Sequence, residues 1–456
     1  MTTTPTGPLS SWPSDLSAFC FEVPHSPEAL LFESGKGIRL SDAAGRSYLD
    51  ALSGVFVTCF GYDCEPIVSA VTNQLRTLPF NPPLHGTNRA ALELARALVD
   101  LAPPGITAAK LVNGGSEAIE AAMRLARLHH HSRGNPGKVK ILSYYHGYHG
   151  ATFGSLSLTG RPDVTRFGPG LPGVVHVWPP DCLEAFWDVP PERSGALAAA
   201  MIERTIEAEG PDSVAAIVME PVIHLRGMAV PPPDYLARIR EVCDRHDVLL
   251  VFDEIVTGFG RTGAPFAAQT FGVTPDILCV GKGISGGYAP LAAVLMGSHL
   301  AEHLGEHGGP VSFAPSHTYA ANPLAAAAGL ASVTLFREGG YQERIRELAA
   351  HTETRLRAVT AGRGTVRAVG LLYGIKLKSA AGRPDERLGE RVATACLRRG
   401  LIIRGQDDWV VLAPAFVTTT AEVEEITGIL GEALDEVCGT LDEVCRTLDE
   451  VRGDER

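Results

Sequence analysis

Three short apolar runs organise the middle of the chain: AIVME at 216–220, VLLVFDE at 248–254 and DILCVG at 276–281. Each lacks polar alternation, and stretches of helical period separate them. Uninterrupted apolar strands alternating with helices predict a parallel sheet covered on both faces, the core of an α/β fold. Upstream, SDAAGRSYLDAL at 41–52 mixes turn residues with short apolar pieces, which predicts a small sheet. After Glu338-Gly339-Gly340 a charged helix over 341–357 precedes the strands LLYGIKL and WVVLAP, the pattern of a second α+β lobe. The expected organisation is an N-terminal segment over 1–75 belonging to a small domain, a large domain over 76–335, a C-terminal small-domain part over 336–430 and a tail over 431–456. In that tail LDEVCGT-LDEVCRT-LDEVRGD repeats every seven residues. It sets Leu434, Val437, Leu441, Val444, Leu448 and Val451 on one seam. Three heptads suit a surface helix packed on its own lobe as well as a pairing helix.

Composition narrows the class. A chain of 456 residues with 45% hydrophobic and 20% charged residues has the material for two or more packed lobes. A net charge of −12 with scattered Lys and Arg leaves no basic stripe for a phosphate backbone, so nucleic acid is not an expected partner. The start MTTTPTGPLSSWPSDLS lacks a basic segment followed by an apolar core, and no apolar run spans a bilayer, so no membrane association is expected. Nine cysteines without a CxxC pair fit reduced thiols, and a cytoplasmic location is the expectation.

Candidate chemistry gathers at the predicted strand ends. Lys282 follows the strand in ILCVGKGISGGYAPL, among glycines that permit close backbone approach to a ligand. The alternative is an ordinary exposed lysine. Asp253 ends VLLVFDE, so its carboxylate emerges at the carboxyl edge of the sheet, where ligands bind in open α/β folds. There it needs a partner. Two residues on, Ile255 points to the same side if the strand continues, although core packing explains it equally well. In KLVNGGSEAIEAAMRLAR a strand leads through Gly114-Gly115-Ser116 into a helix with Ala118, Ala121, Ala122 and Leu125 on one face. Such a turn is an anion site, or merely a helix cap. A lysine, a buried acid, an anion cradle and flat groups are together what pyridoxal phosphate requires.

Two decoys are set aside. Gly258-Phe259-Gly260-Arg261-Thr262-Gly263 matches the dinucleotide fingerprint, but Glu254 to Thr257 intervene after the strand and Pro265 follows. His129 to His131 and the His146/His149 pair lack companion ligands at zinc-like spacing, so no metal is expected.

NGGSEA, YYHGYHG, Glu220-Pro221, VFDEIVTGFGRTG, PDILCVGKGISGGYAPLAAVL and SHTYAANPLA occur in this order. In these motifs the chain resembles the class III pyridoxal-phosphate aminotransferases of fold type I, over about residues 29–430. The resemblance implies a large domain with a mostly parallel sheet and a smaller α+β domain formed by N- and C-terminal segments. It implies that Gly115 and Ser116 hold phosphate, that Tyr148 stacks opposite Ile255, and that Glu220 stands near the cofactor's O3′ side. It implies further that Thr318 reaches the phosphate in a neighbouring subunit, hence a homodimer with shared sites. Glutamate-using members often carry Gln at Val256 and Arg at Leu412, and this chain has neither. Arg404 in LIIRGQDD instead matches the carboxylate-binding arginine of the ω-amino acid and amine:pyruvate branch. Where the family has a small, Gly-rich loop this chain reads VIHLRGM, placing His224, Leu225 and Arg226 at the substrate pocket. Leu225 is expected to narrow it, and Phe56 to border the substrate. The reaction implied is amino transfer from an amine or ω-amino acid to a keto acid such as pyruvate, with Lys282 bound to the cofactor as a Schiff base. An aminomutase, racemase or decarboxylase on the same fold is the rival within the cofactor class. A non-enzymatic pyridoxal-sensing regulator is the rival outside it, opposed by the lack of an appended DNA-binding module.

Overall fold

The computed structural model describes residues 30–306, 317–378, 385 and 387–439. Its central sheet has seven strands in the order Ile106–Val112, Ala292–Gly297, Ile277–Val280, Leu249–Glu254, Val214–Met219, Lys140–Tyr144, Val174–Val177. The last five pair in parallel. Ala292–Gly297 runs antiparallel to both of its neighbours, a reversal the apolar pattern alone does not announce. Its physical reason is the connection: between Val280 and Ala292 lies only the short turn Lys282–Ser285, with no helix to carry a parallel crossover. Ile106–Val112, beyond it, therefore points the same way as the parallel set.

The strands 214–219 and 249–254 are buried at every position, which is why they read as continuous apolar runs. Alternate side chains enter two cores, Leu250 and Phe252 on one face, Leu249 and Val251 on the other. Helix Gly115–Ser132 covers the second face through Ala118, Ala121, Ala122 and Leu125, all fully buried. Helices Arg89–Leu101 and Pro323–Glu338 bury Leu94, Leu98 and Ala326 in the first core. Both helices are capped by asparagine. Asn88 Oδ1 accepts from the Ala91 amide at 2.9 Å, and Asn322 Oδ1 from Leu324 at 2.9 Å.

Two smaller sheets flank the central one and add side chains such as Leu49, Leu401, Tyr373 and Leu412 to the first core. Phe32–Lys36, Arg39–Asp42 and Ser47–Asp50 form an antiparallel set that Leu401–Ile402 joins in parallel, so segments more than 350 residues apart in sequence share one sheet. Gly364–Val369, Leu372–Leu377, Trp409–Leu412 and Arg404–Gln406 form the other. Helix Thr420–Cys438 starts at a Thr419/Glu422 capping box and buries Leu434 in its own chain. The heptad positions from Leu441 onward lie outside the described residues. Among the described residues no helix is long and apolar enough to cross a membrane.

Candidate active site

The parallel strands deliver their carboxyl ends to one cavity of about 280 Å³, near the lower end of the ~300–1,000 Å³ typical of small-molecule sites. Ile106–Val112 leads to Gly114, Gly115 and Ser116, and Lys140–Tyr144 to Tyr148 and His149. Val214–Met219 leads to Glu220, Leu249–Glu254 carries Asp253, and Ile277–Val280 leads to Lys282. All of these line the cavity, with Ile255, Val256, His224 and Ser285.

Asp253 is 4% exposed and fixed on both oxygens. Oδ2 accepts from His149 Nδ1 at 2.8 Å, and Oδ1 from the Ile255 amide at 3.1 Å. A carboxylate only accepts, so His149 carries its hydrogen on Nδ1. Ile255 does not continue the strand as the sequence reading supposed. The strand stops at Glu254, and the Ile255 amide turns back onto Asp253. The side chain nonetheless lines the cavity.

Lys282 has φ +47°, a left-handed conformation that is costly for a residue with a Cβ. Burial pushes its ammonium below the usual lysine range; Asp253 and Glu220 pull the other way, and Arg404 adds to the depression. Burial alone would raise the Glu220 carboxyl, but His224, through charge and hydrogen bond, with His149 and the Tyr148 amide, holds it below the usual range. Glu220 Oε1 accepts from the Tyr148 amide at 3.0 Å, and Oε2 from the His224 amide at 3.3 Å and from His224 Nδ1.

Pyridoxal phosphate fits these residues. Helix Gly115–Ser132 begins without a side-chain cap, so its first amides are open to an anion. Ser116 Oγ accepts from the Ala151 amide at 3.0 Å, which leaves its O–H to donate outward. A Cβ at Gly115 would stand 3.3 Å from Ile255, and one at Gly281 2.9 Å from Ile255 Cδ1, so two glycines make room for the side chain that would cover a ring. Asp253 is a buried acceptor matched to a ring N–H.

Not every expected substrate residue reaches the cavity. Phe56 is 1% exposed and packs edge-on behind His224 at 5.9 Å, while its neighbour Val57 takes the lining position. The backbone explains this, since Phe56 has φ +66° and points into the core. Leu225 is also buried away from the lining, its carbonyl accepting from Gln406 Nε2 at 3.3 Å. The tight turn His224–Arg226 turns His224 inward and Leu225 outward. Arg226 is committed to Asp181 at 2.8 Å and lies over the Phe186 ring. Arg404, at the start of Arg404–Gln406, is half-buried beside the cavity. It donates to Gln406 Oε1 at 3.4 Å and has no acidic partner among the described residues. Leu412 is buried in its strand, and Val256 lines the cavity. Thr318 is exposed and outside the lining. In the fingerprint decoy, Arg261 is fully buried and donates to the carbonyls of Ala413 and Pro414, which makes it a tie between large and C-terminal parts.

His149 is the residue that sequence reasoning passed over as a non-ligand. The available signal was the demand of a buried Asp253 for a donor, with YYHGYHG at the end of Lys140–Tyr144, a parallel strand one removed from that of Asp253.

The description "Aminotransferase class-III" matches residues 21–434. An omega-aminotransferase of Caulobacter vibrioides is 32% identical over 435 residues, 93% of this chain and 98% of its own length. An omega-amino acid–pyruvate aminotransferase of Pseudomonas putida is 31% identical over 416 residues, 89% of this chain and 92% of its own. The crystal structure of a PMP-bound aminotransferase from Vibrio fluvialis is similar with a TM-score of 0.85 at 30% identity, covering 90% of this chain and 92% of that one. With that match along nearly the whole chain, the chain is a member of the class III aminotransferases, enzymes dependent on pyridoxal phosphate.

Proposed function

We propose that this aminotransferase takes its amino group from an amine or ω-amino acid and passes it to pyruvate, with Lys282 as the proton carrier and attachment point of the cofactor. The observation that carries the reading is the convergence of Lys282, Asp253 and the Gly114–Ser116 turn on one cavity, beside an arginine that has no acidic partner among the described residues. Pyridoxal phosphate, when bound, supplies the carbonyl that takes up the amino group and a ring that draws electrons from the substrate's Cα. Lys282 Nζ, with its proton affinity lowered by burial, takes the Cα proton and releases it again. Asp253, held by His149 and the Ile255 amide, keeps a fixed negative charge for the ring N–H. The Ser116 hydroxyl and the amides of Gly115 and Ser116 would bind its phosphate, and Ile255 and Tyr148, which line the same cavity, would cover its ring. Glu220 orients Tyr148 and His224.

Arg404 binds the carboxylate of the acceptor through its planar fork. Pyruvate is favoured by the name of the Pseudomonas putida relative and by Val256 and Leu412, which replace the Gln and Arg of the glutamate-using pattern. We also read the enzyme as a homodimer in which Thr318 serves the partner's site. Thr318 is exposed next to Tyr319, whose ring is 62% exposed and meets that of Phe80, itself 39% exposed, at 5.8 Å, an apolar surface suited to a second copy. The described cysteines are all free, which supports a reducing cytoplasm.

The test is amine donor without acceptor, followed by pyruvate. The expectation is one equivalent of carbonyl product per site, then one of alanine. Lys282→Ala should fold, bind the cofactor non-covalently and lose at least ~10²–10⁴-fold in turnover. Near-normal turnover by this variant would remove Lys282 from its role.

A further inference from the structure

The cavity contains a histidine that the proton-carrying machinery does not use. His224 is 7% exposed, lines the same cavity as Lys282, and is held edge-on between Tyr148 and Phe56, each at 5.9 Å. Its Nδ1 is taken by Glu220, whose other oxygen is occupied by the Tyr148 amide. A carboxylate only accepts, so Nδ1 carries a hydrogen and the ring's orientation is fixed. Nε2 then has no bonding partner among the described residues, on a ring that is almost wholly buried and lines the cavity.

We propose that the Glu220–His224 pair reads a hydroxyl group on the amine donor, so that the enzyme prefers amino alcohols to alkyl amines of the same shape. The proposal rests on the amine-donor reading above. A hydroxyl suits Nε2 in either state of the ring: it donates to the neutral nitrogen and accepts from the protonated one. An alkyl group at the same place strips water from Nε2 and returns nothing, and a site built to bond a hydroxyl discriminates strongly against the analogue that lacks it. His224 is thereby a specificity residue, and Glu220 the positioning residue behind it.

The experiment compares 2-amino-1-propanol with 2-aminobutane, in which a methyl replaces the hydroxyl, each with pyruvate. The wild type should favour the amino alcohol in kcat/KM by roughly tenfold or more. His224→Asn keeps an amide donor for Glu220 and deletes the far end of the ring. Its preference should fall to within about threefold of unity, and His224→Gln, whose amide reaches further, should restore part of it. A second readout needs no turnover. Histidine ¹⁵N resonances of the protein without cofactor should include a ring protonated at Nδ1 that disappears in His224→Asn. Transfer from both donors without a hydroxyl preference, or an undiminished preference in His224→Asn, overturns the proposal alone. No transfer from either donor overturns the amine-donor reading and the proposal with it.

Discussion

Single side chains at this site are held in states they would not adopt alone. Lys282 sits at φ +47°, where a glycine would be more comfortable, and its ammonium is depressed by burial, so both backbone and charge are biased toward a reactive amine. Asp253 has a histidine on one oxygen and an amide on the other, so its charge cannot rotate away. Arg404 is the complementary case, a half-buried guanidinium whose hydrogen bond among the described residues is a 3.4 Å contact to Gln406. If it pairs with the acceptor carboxylate, Arg404→Ala should raise the KM for pyruvate by the equivalent of about 2 to 5 kcal/mol, the cost of losing one half of a desolvated charge pair. A neutral amine donor gives the guanidinium nothing to pair with, so its own half-reaction should change much less. Steady-state kinetics in pyruvate beside single-turnover kinetics with the amine separate the two. Equal losses would show that Arg404 supports the cavity wall.

Elements set how those side chains face one another, and here glycine spacing matters more than hydropathy. The loop carrying His224 is pressed against strand Leu372–Leu377: a Cβ on Gly374 would lie 2.0 Å from the Gly227 carbonyl oxygen. Gly374→Ala should therefore displace that loop, lower stability by about 1 to 3 kcal/mol and raise the KM for the donor. Gly428, exposed inside helix Thr420–Cys438 with nothing near its missing Cβ, is the control. Gly428→Ala should stabilise by about 0.5 to 1 kcal/mol with kinetics unaltered. Thermal unfolding and donor kinetics of the pair check both, and unchanged kinetics in Gly374→Ala would show that the loop yields elsewhere. The same contrast explains what the sequence could disclose. The buried parallel strands, the Gly114–Ser116 turn and Lys282 after its strand are legible because period and spacing are local properties. The reversed strand Ala292–Gly297, the inward turn of Phe56 and the outward turn of Leu225 are not, because they depend on connections and on positive φ angles set by distant packing. His149 was legible only as a demand, since a buried carboxylate calls for a donor without naming it.

Across the whole molecule, stability and the active site meet through the helix that starts at the anion cradle. Helix Gly115–Ser132 ends in His129, His130 and His131, of which the first two are buried beneath the sheet's second face. Burial, then charge interactions with His130, Arg133 and His299, hold His129 down at about 4, with Asp247 opposing; burial also lowers His130. A histidine freed by unfolding titrates near its ordinary 6.5. Between about 6.5 and about 4 the unfolded chain therefore binds the proton and the folded chain does not. The stabilisation is complete above pH 6.5 and is lost as pH falls through that window. From pH 7 to pH 5 the loss from His129 has a ceiling of about 2 kcal/mol, at 1.36 kcal/mol per pH unit below 6.5. His129→Gln keeps an acceptor for Arg133 Nη1, which lies 3.3 Å from His129 Nε2, but does not titrate. The urea midpoint of the wild type should thus fall more steeply between pH 7 and pH 5 than that of the variant, while both keep the same slope with denaturant. Because this helix also presents the open amides to phosphate, cofactor retention in the wild type should weaken over the same interval and recover in the variant. Parallel midpoint curves would place the acid sensitivity in another buried group and leave His129 as packing alone.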